Sequence, residues 1–240
     1  MNRYKFKDYP HIDSLYIEFE SSTKYIHSVR KVNDKSSSRI EPYEPSIFIY
    51  SFFTFNSLYN IDWKETVNNN YKNITYNDGS ERDRINDYID FLWAENQETD
   101  IIKVFNYTLI KVIRQYLTTK GADDTLTNIP IWIQTNMSGF IYSSGEDIPQ
   151  EKKFSKNQIY KFERILRNSF ERGELDCQNM KHLAQIIYSV RCNLFHGAKD
   201  PEFFEENHQM ERFVIYGAIL TTINQLLFST IHRQLSRCAH

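Results

Sequence analysis

Apolar residues return every three or four positions along most of this chain, and that spacing decides its fold class. The last long run shows it best: Phe213, Tyr216, Gly217, Leu220, Ile223, Leu227 and Ile231 recur at the interval that lines one helix face. Similar stripes appear in 81–95 (Ile85, Tyr88, Ile89, Leu92, Trp93), in 99–119 (Ile101, Ile102, Phe105, Leu109, Val112, Ile113, Tyr116) and in 155–172 (Ile159, Phe162, Ile165, Leu166, Phe170). A further stripe over about 178–196 carries Leu183, Ile186, Ile187, Val190 and Leu194. From Pro45 the chain is apolar on every side (Ile47, Phe48, Ile49, Phe52, Phe53, Phe55, Leu58), which predicts a central, buried helix with proline in its first turn. With only 7 Gly and 6 Pro, a loop-dense β-sandwich is excluded. The expectation is an all-α, antiparallel bundle of six or seven helices.

Local signals punctuate these stripes. Ser80 followed by Asp83 is an approximate capping box, and Gly173 stops the helix over 155–172. Gly197 suits a left-handed helix end, with Asp200 and Pro201 as cap and first residue of the final helix over 201–235. That leaves a connection of about three residues and makes the two helices antiparallel neighbours. Two regions break the pattern. Residues 12–29 fit either a helical face, which the longer window favours, or a strand through the alternation of Leu15, Ile17 and Phe19, and 31–45 read as a polar connector. Ile129-Pro-Ile-Trp-Ile-Gln-Thr135 and Phe140-Ile-Tyr-Ser143 read as a small β-hairpin at about 129–143, or as an irregular insertion. The chain thus divides into an N-terminal segment, 1–44, and a helical domain, 45–240.

A net charge of −2 and a pI near 6.4 exclude a protein that grips long stretches of duplex through a general basic excess; any nucleic-acid site must be local. Residues 151–172 supply one local excess, seven Lys/Arg against three Glu. They form either a solvated helix face or an RNA-phosphate track that includes Lys161, Arg164 and Arg167. Cys177, Cys192 and Cys238 lack metal-ligand spacing and read as free thiols. No uninterrupted apolar run approaches the roughly 18 residues of a membrane span, so a cytoplasmic protein without membrane contact is expected.

The chemistry is concentrated in Tyr188-Ser-Val-Arg-Cys-Asn-Leu-Phe-His-Gly197. Arg191 is a forked, always-charged donor suited to phosphate, and His196 exchanges a proton near neutral pH. Each also has a plain structural reading, as a solvated helix arginine and as a helix C-cap. This segment resembles the Arg-x4-His motif of the HEPN superfamily, especially its Apea-like branch. The resemblance covers about 155–235. Phe53-x-x-Phe-Asn-Ser-Leu-Tyr-Asn-Ile-Asp-Trp63 and Ser80-Glu-Arg-Asp-Arg84 resemble Apea-like stretches more loosely.

The resemblance implies a four-helix core with extra helices, the motif at its mouth, and a toxin or anti-phage endoribonuclease that needs no metal or other cofactor. Attack of a ribose 2′-OH on the adjacent phosphate would leave a 2′,3′-cyclic phosphate and a 5′-OH. The catalytic residues it implies are Arg191 on the phosphorane oxygens, His196 in proton transfer and Asn193 in positioning; Lys161, Arg164, Arg167 and Lys199 would bind RNA. Five residues advance an ideal helix by about 7.5 Å and turn it by about 140°. Arg191 and His196 of one helix therefore diverge, and a two-fold homodimer would gather both copies around one cleft. The partners implied are RNA, a second copy, and an antitoxin or activating protein. Cys192 stands where the family commonly has Asn, Asp or His, with Asn193 one place later. That departure keeps open a catalytically silent HEPN module that dimerises as a scaffold or binds a partner or nucleotide. Gly197-Ala198 lack the tyrosine that a partner nucleotidyltransferase modifies in some HEPN toxins, so no such partner is expected.

Overall fold

The computed structural model describes residues 44–60, 80–119, 128–138, 156–195 and 209–238. Seven helices fill these segments: α1 (Glu44–Tyr59), α2 (Glu81–Glu95), α3 (Glu98–Thr119), α4 (Ile129–Ser138), α5 (Lys156–Glu171), α6 (Cys177–Phe195) and α7 (Gln209–Cys238). They pack on one another as an all-α bundle, with no strand among the described residues. The reading on 12–29, residues 31–43 of the 31–45 connector, the Gly197 stop, and the start of the final helix at Asp200 and Pro201 lie outside these residues; Glu44 and Pro45 of that connector belong to α1.

α7 is the axis of the bundle. α1 and α3 pack against it most extensively, and α2, α4 and α6 add smaller contacts. Phe213, Val214, Ile215, Tyr216, Ala218, Ile219 and Leu220 are all buried, so over this stretch the helix is apolar on every side because protein surrounds it there. Phe48 of α1 meets Phe213 and Tyr216 with ring centroids 5.3 and 6.1 Å apart. By length and mean hydropathy Met210–Thr230 is long and apolar enough to cross a membrane, although it holds no uninterrupted apolar run of that length. Glu211, Arg212, Thr221, Thr222, Asn224 and Gln225 interrupt it, so a search for an unbroken apolar run passes over it. Within the bundle, 83% of its most apolar stretch is buried.

The 129–143 hairpin reading is corrected over 129–138, which are helical; 139–143 lie outside the described residues. Asn128 decides the local outcome. Its Oδ1 accepts the Ile131 amide at 3.2 Å and its carbonyl accepts the Trp132 amide at 2.9 Å, which is N-cap geometry. At the other end, the fully buried Arg212 of α7 donates from Nε to the Asn136 carbonyl at 2.9 Å. A cation there meets carbonyls that α4 leaves without helical partners. Alternating apolar residues in Ile129–Ile133 suited either structure; the cap and the buried arginine settle it as helix.

Other ends follow the sequence. The Ser80 amide and hydroxyl both donate to the Asp83 carboxylate, at 2.9 and 2.8 Å, and open α2. Gly173, at φ 66°, takes the left-handed conformation that ends α5, and the Arg172 and Glu174 amides donate to the Asn168 carbonyl. Asp176 then caps α6 by accepting the Asn179 amide at 2.7 Å.

α2 and α6 lie antiparallel in a register marked by three polar rungs. Lys181 pairs with Asp90 at 2.7 Å, Gln185 donates to Asn86 at 2.8 Å, and Tyr188 donates to Glu81. This ladder carries the last turns of α6 to the start of α2. Cys177 donates to the Asp90 carboxylate at 3.3 Å, and burial together with that carboxylate pushes its thiol up to about 12. Its place in the first turn of a helix would favour a thiolate, but burial outweighs it, and Cys177 remains an unreactive thiol at neutral pH.

His182 adds a pH-sensitive contact between α5 and α6. Burial lowers its pKa, the Lys161 charge lowers it further, and a hydrogen bond with the Gln158 backbone opposes both. Below the ordinary histidine value of about 6.5 the unfolded chain binds the proton more readily, so this residue costs stability as pH falls through that range. Burial raises the Glu163 pKa on α5, which acts with the opposite sign. The histidine is therefore isolated by comparison with His182→Gln. The melting temperature of the wild type relative to that variant is expected to fall from pH 7.5 to 5.5; a rise would show a histidine stabilised by its charge.

Candidate functional site

Three helix ends meet at one end of the bundle. They are the last turns of α1, the first turn of α2 and the last turns of α6. Each presents residues spaced by three or four: Phe52, Asn56 and Tyr59 on α1, Glu81 and Arg84 on α2, and on α6 Tyr188 with Arg191 three and Cys192 four residues later. Helical periodicity thus turns three separate segments into one cluster.

Glu81 is its centre. One carboxylate oxygen accepts the Tyr59 hydroxyl at 3.1 Å and the other accepts the Tyr188 hydroxyl. The Tyr59 hydroxyl also lies within hydrogen-bonding reach of Asn56 Oδ1. As an acid in the first turn of α2, Glu81 faces the positive end of the helix dipole. Burial is the largest cause raising the pKa of both tyrosines, and Glu81 adds to it by charge and hydrogen bond. Arg191 and Arg84 pull Tyr59 back without reversing the shift. Both phenols therefore stay protonated at neutral pH and serve as hydrogen-bond donors.

Arg191 is half-buried, with its guanidinium carbon 5.3 Å from the centroid of the Phe52 ring. Stacking on that face restricts the side chain while the charge persists. Its NH1 lies 3.9 Å from Cys192 Sγ, and Cys192 also reaches the Tyr188 hydroxyl. Cys177 and Cys192 are both free thiols. Across the cluster, Arg84 donates from NH1 to Asn60 Oδ1 at the end of α1. A clamped guanidinium beside neutral donors and one shared carboxylate can bind an anion and stabilise charge developing on it.

The remaining sequence-predicted residues are placed unevenly. Asn193 belongs to α6, but its side chain, like all of His196 and Lys199, lies outside the described residues. Lys161 and Arg164 are exposed on α5, and the Arg164 guanidinium lies 5.9 Å from the Tyr160 ring centroid. Arg167 is held by Glu163 at 3.3 Å. Arg164 and Arg167 share a cleft of about 630 Å³ with Arg172, but Glu98, Glu171, Glu174 and Asp176 also line it. Three arginines against four carboxylates give it mixed sign. The cleft reaches α6 at Asn179, twelve residues and so about 18 Å before Arg191 along the helix. The structure brings Arg164 and Arg167 together and keeps them apart from Arg191. Among the described residues no group of three or more His, Cys, Asp or Glu side chains could hold a metal ion.

Sequence reasoning missed Glu81, Tyr59 and Tyr188 as neighbours of Arg191. A signal existed for Tyr188, three residues before Arg191 on the same helix face. Comparison with protein-family models, with curated proteins and with solved structures finds no match for this chain.

Proposed function

We propose that this chain is a HEPN-type endoribonuclease of the toxin or anti-phage kind, acting in the cytoplasm as a homodimer. The observation that carries the reading is the placement of Arg191. It is clamped on Phe52 at the end of α6, beside the Tyr59–Glu81–Tyr188 network, with His196 five residues further along. The two loosely similar stretches, 53–63 and 80–84, contribute Tyr59, Asn60, Glu81 and Arg84 to that same cluster. That both stretches meet Arg191 in one cluster supports the reading.

In this mechanism a ribose 2′-OH attacks the neighbouring phosphorus and the bond to the 5′-oxygen of the next nucleotide breaks. His196 moves the proton, giving it to the departing oxygen when it acts as general acid. Arg191 stabilises the charge on the phosphorane oxygens, and Asn193 positions the phosphate or its partners. The products are a 2′,3′-cyclic phosphate and a 5′-OH. RNA cleavage is expected to co-sediment with a dimer, to survive EDTA and to leave cyclic phosphate ends. Strict dependence on Mg²⁺ or Mn²⁺, 3′-OH products or an active monomer would each refute it.

One observation favours a second reading, a silent HEPN module acting as a scaffold or binding a partner or nucleotide. Cys192 occupies the position after Arg191 and its thiol contacts both Arg191 and Tyr188 in place of a harder polar group. The same assay separates the two, since a scaffold leaves RNA intact under every condition.

A further inference from the structure

We propose that Arg84 is a second phosphate anchor of this site, holding the phosphate next to the one at Arg191 on a single-stranded RNA. The inference rests on the nuclease reading and extends it to how the substrate strand is held. Residues 81 and 84 are three apart, so they share one face of α2. Glu81 turns to Tyr59 and Tyr188, while Arg84 turns to Asn60, the residue directly after Tyr59. Arg84, at the end of α1 through Asn60, and Arg191, at the end of α6 on the Phe52 ring, therefore belong to the same cluster as the Tyr59–Glu81 link. Both guanidinium charges bear on the Tyr59 hydroxyl and hold back the rise that burial and Glu81 produce.

The charge balance leaves room for an anion. Among the described residues two arginines face one carboxylate, because Asp83 is committed to the Ser80 amide and hydroxyl, and the two phenols are neutral. Arg84 is half-buried, and among the described residues the one hydrogen bond of its side chain is from NH1 to Asn60. That bond orients the fork and leaves further N–H donors for phosphate oxygens. Stacked Arg191 supplies the other point. Two oriented cations in one cluster around a shared carboxylate suit consecutive phosphates of a flexible strand.

The test uses the full chain and a fluorescein-labelled oligoribonucleotide carrying 2′-O-methyl groups, which cannot undergo 2′-OH attack. Affinity is read by anisotropy over a range of salt. Arg84→Gln is expected to weaken binding for every sequence tried and to make the salt slope shallower by about 0.7, the contribution of one single-strand phosphate. Arg84→Lys is expected to restore the slope with less than full affinity, since it keeps charge and loses the fork. A slope and affinity unchanged in Arg84→Gln, while Arg191→Gln loses both, overturns the Arg84 role and leaves the nuclease reading standing. Wild-type protein that neither binds this RNA nor cleaves its unmodified form overturns both. If Arg84→Gln does not fold, a single neutral methylphosphonate is walked along the oligonucleotide with wild-type protein. Two adjacent sensitive linkages support the second anchor, and one alone refutes it.

Discussion

His196→Ala is expected to lower RNA cleavage about 10²–10⁴-fold, the usual contribution of a positioned general acid or base. The fold should barely respond. His196 directly follows Phe195, the last residue of α6, and loss of a favourable charge at a helix end costs about 0.3–1 kcal/mol. Cleavage rate and thermal melting must be measured together, because each answers a different question. A nuclease loses activity at nearly constant melting temperature; a scaffold loses neither. If the variant mainly melts early, His196 is a structural cap and the ribonuclease reading loses its principal support.

Val190→Asp, one residue before Arg191, is expected to do the reverse. Val190 is only 3% exposed and belongs to the core, while Arg191 beside it is half-buried at the site. One step along a helix turns the side chain by about 100°, which separates a core position from a functional one. An aspartate at 190 has no partner there, and burying an unpaired carboxylate belongs among the few substitutions that cost more than about 4 kcal/mol. Against a typical domain stability of about 5–15 kcal/mol, that removes most of the margin. Circular dichroism should show lost or strongly destabilised helix, with activity lost as a consequence. A variant that melts near wild type would mean that α6 is rotated from the register described, and that Arg191 points elsewhere.

The helices themselves were legible because their causes are local. Apolar spacing, the Ser80–Asp83 cap and the Gly173 stop act within a few residues, and α2, α5 and α6 end within two residues of where those signals place them. Where local signals were ambiguous, distant residues decided. Ile129–Ile133 alternates as a strand would, yet it is held as a helix by the Asn128 cap and by Arg212, 76 residues from the carbonyl it binds. Met210–Thr230 is apolar enough for a membrane, but it is buried because α1 and α3 cover it.

The candidate site divides in the same way. Sequence alone singled out Arg191 and His196 and predicted that Val190 faces the core. That Glu81 would bind Tyr188 across 107 residues, and Tyr59 across 22, was decided only when α1, α2 and α6 packed together. The physical reason is range. A helix is written in contacts between residues three or four apart, which any stretch of sequence displays. Which helix faces meet depends on side-chain packing between segments that the order of residues does not pair.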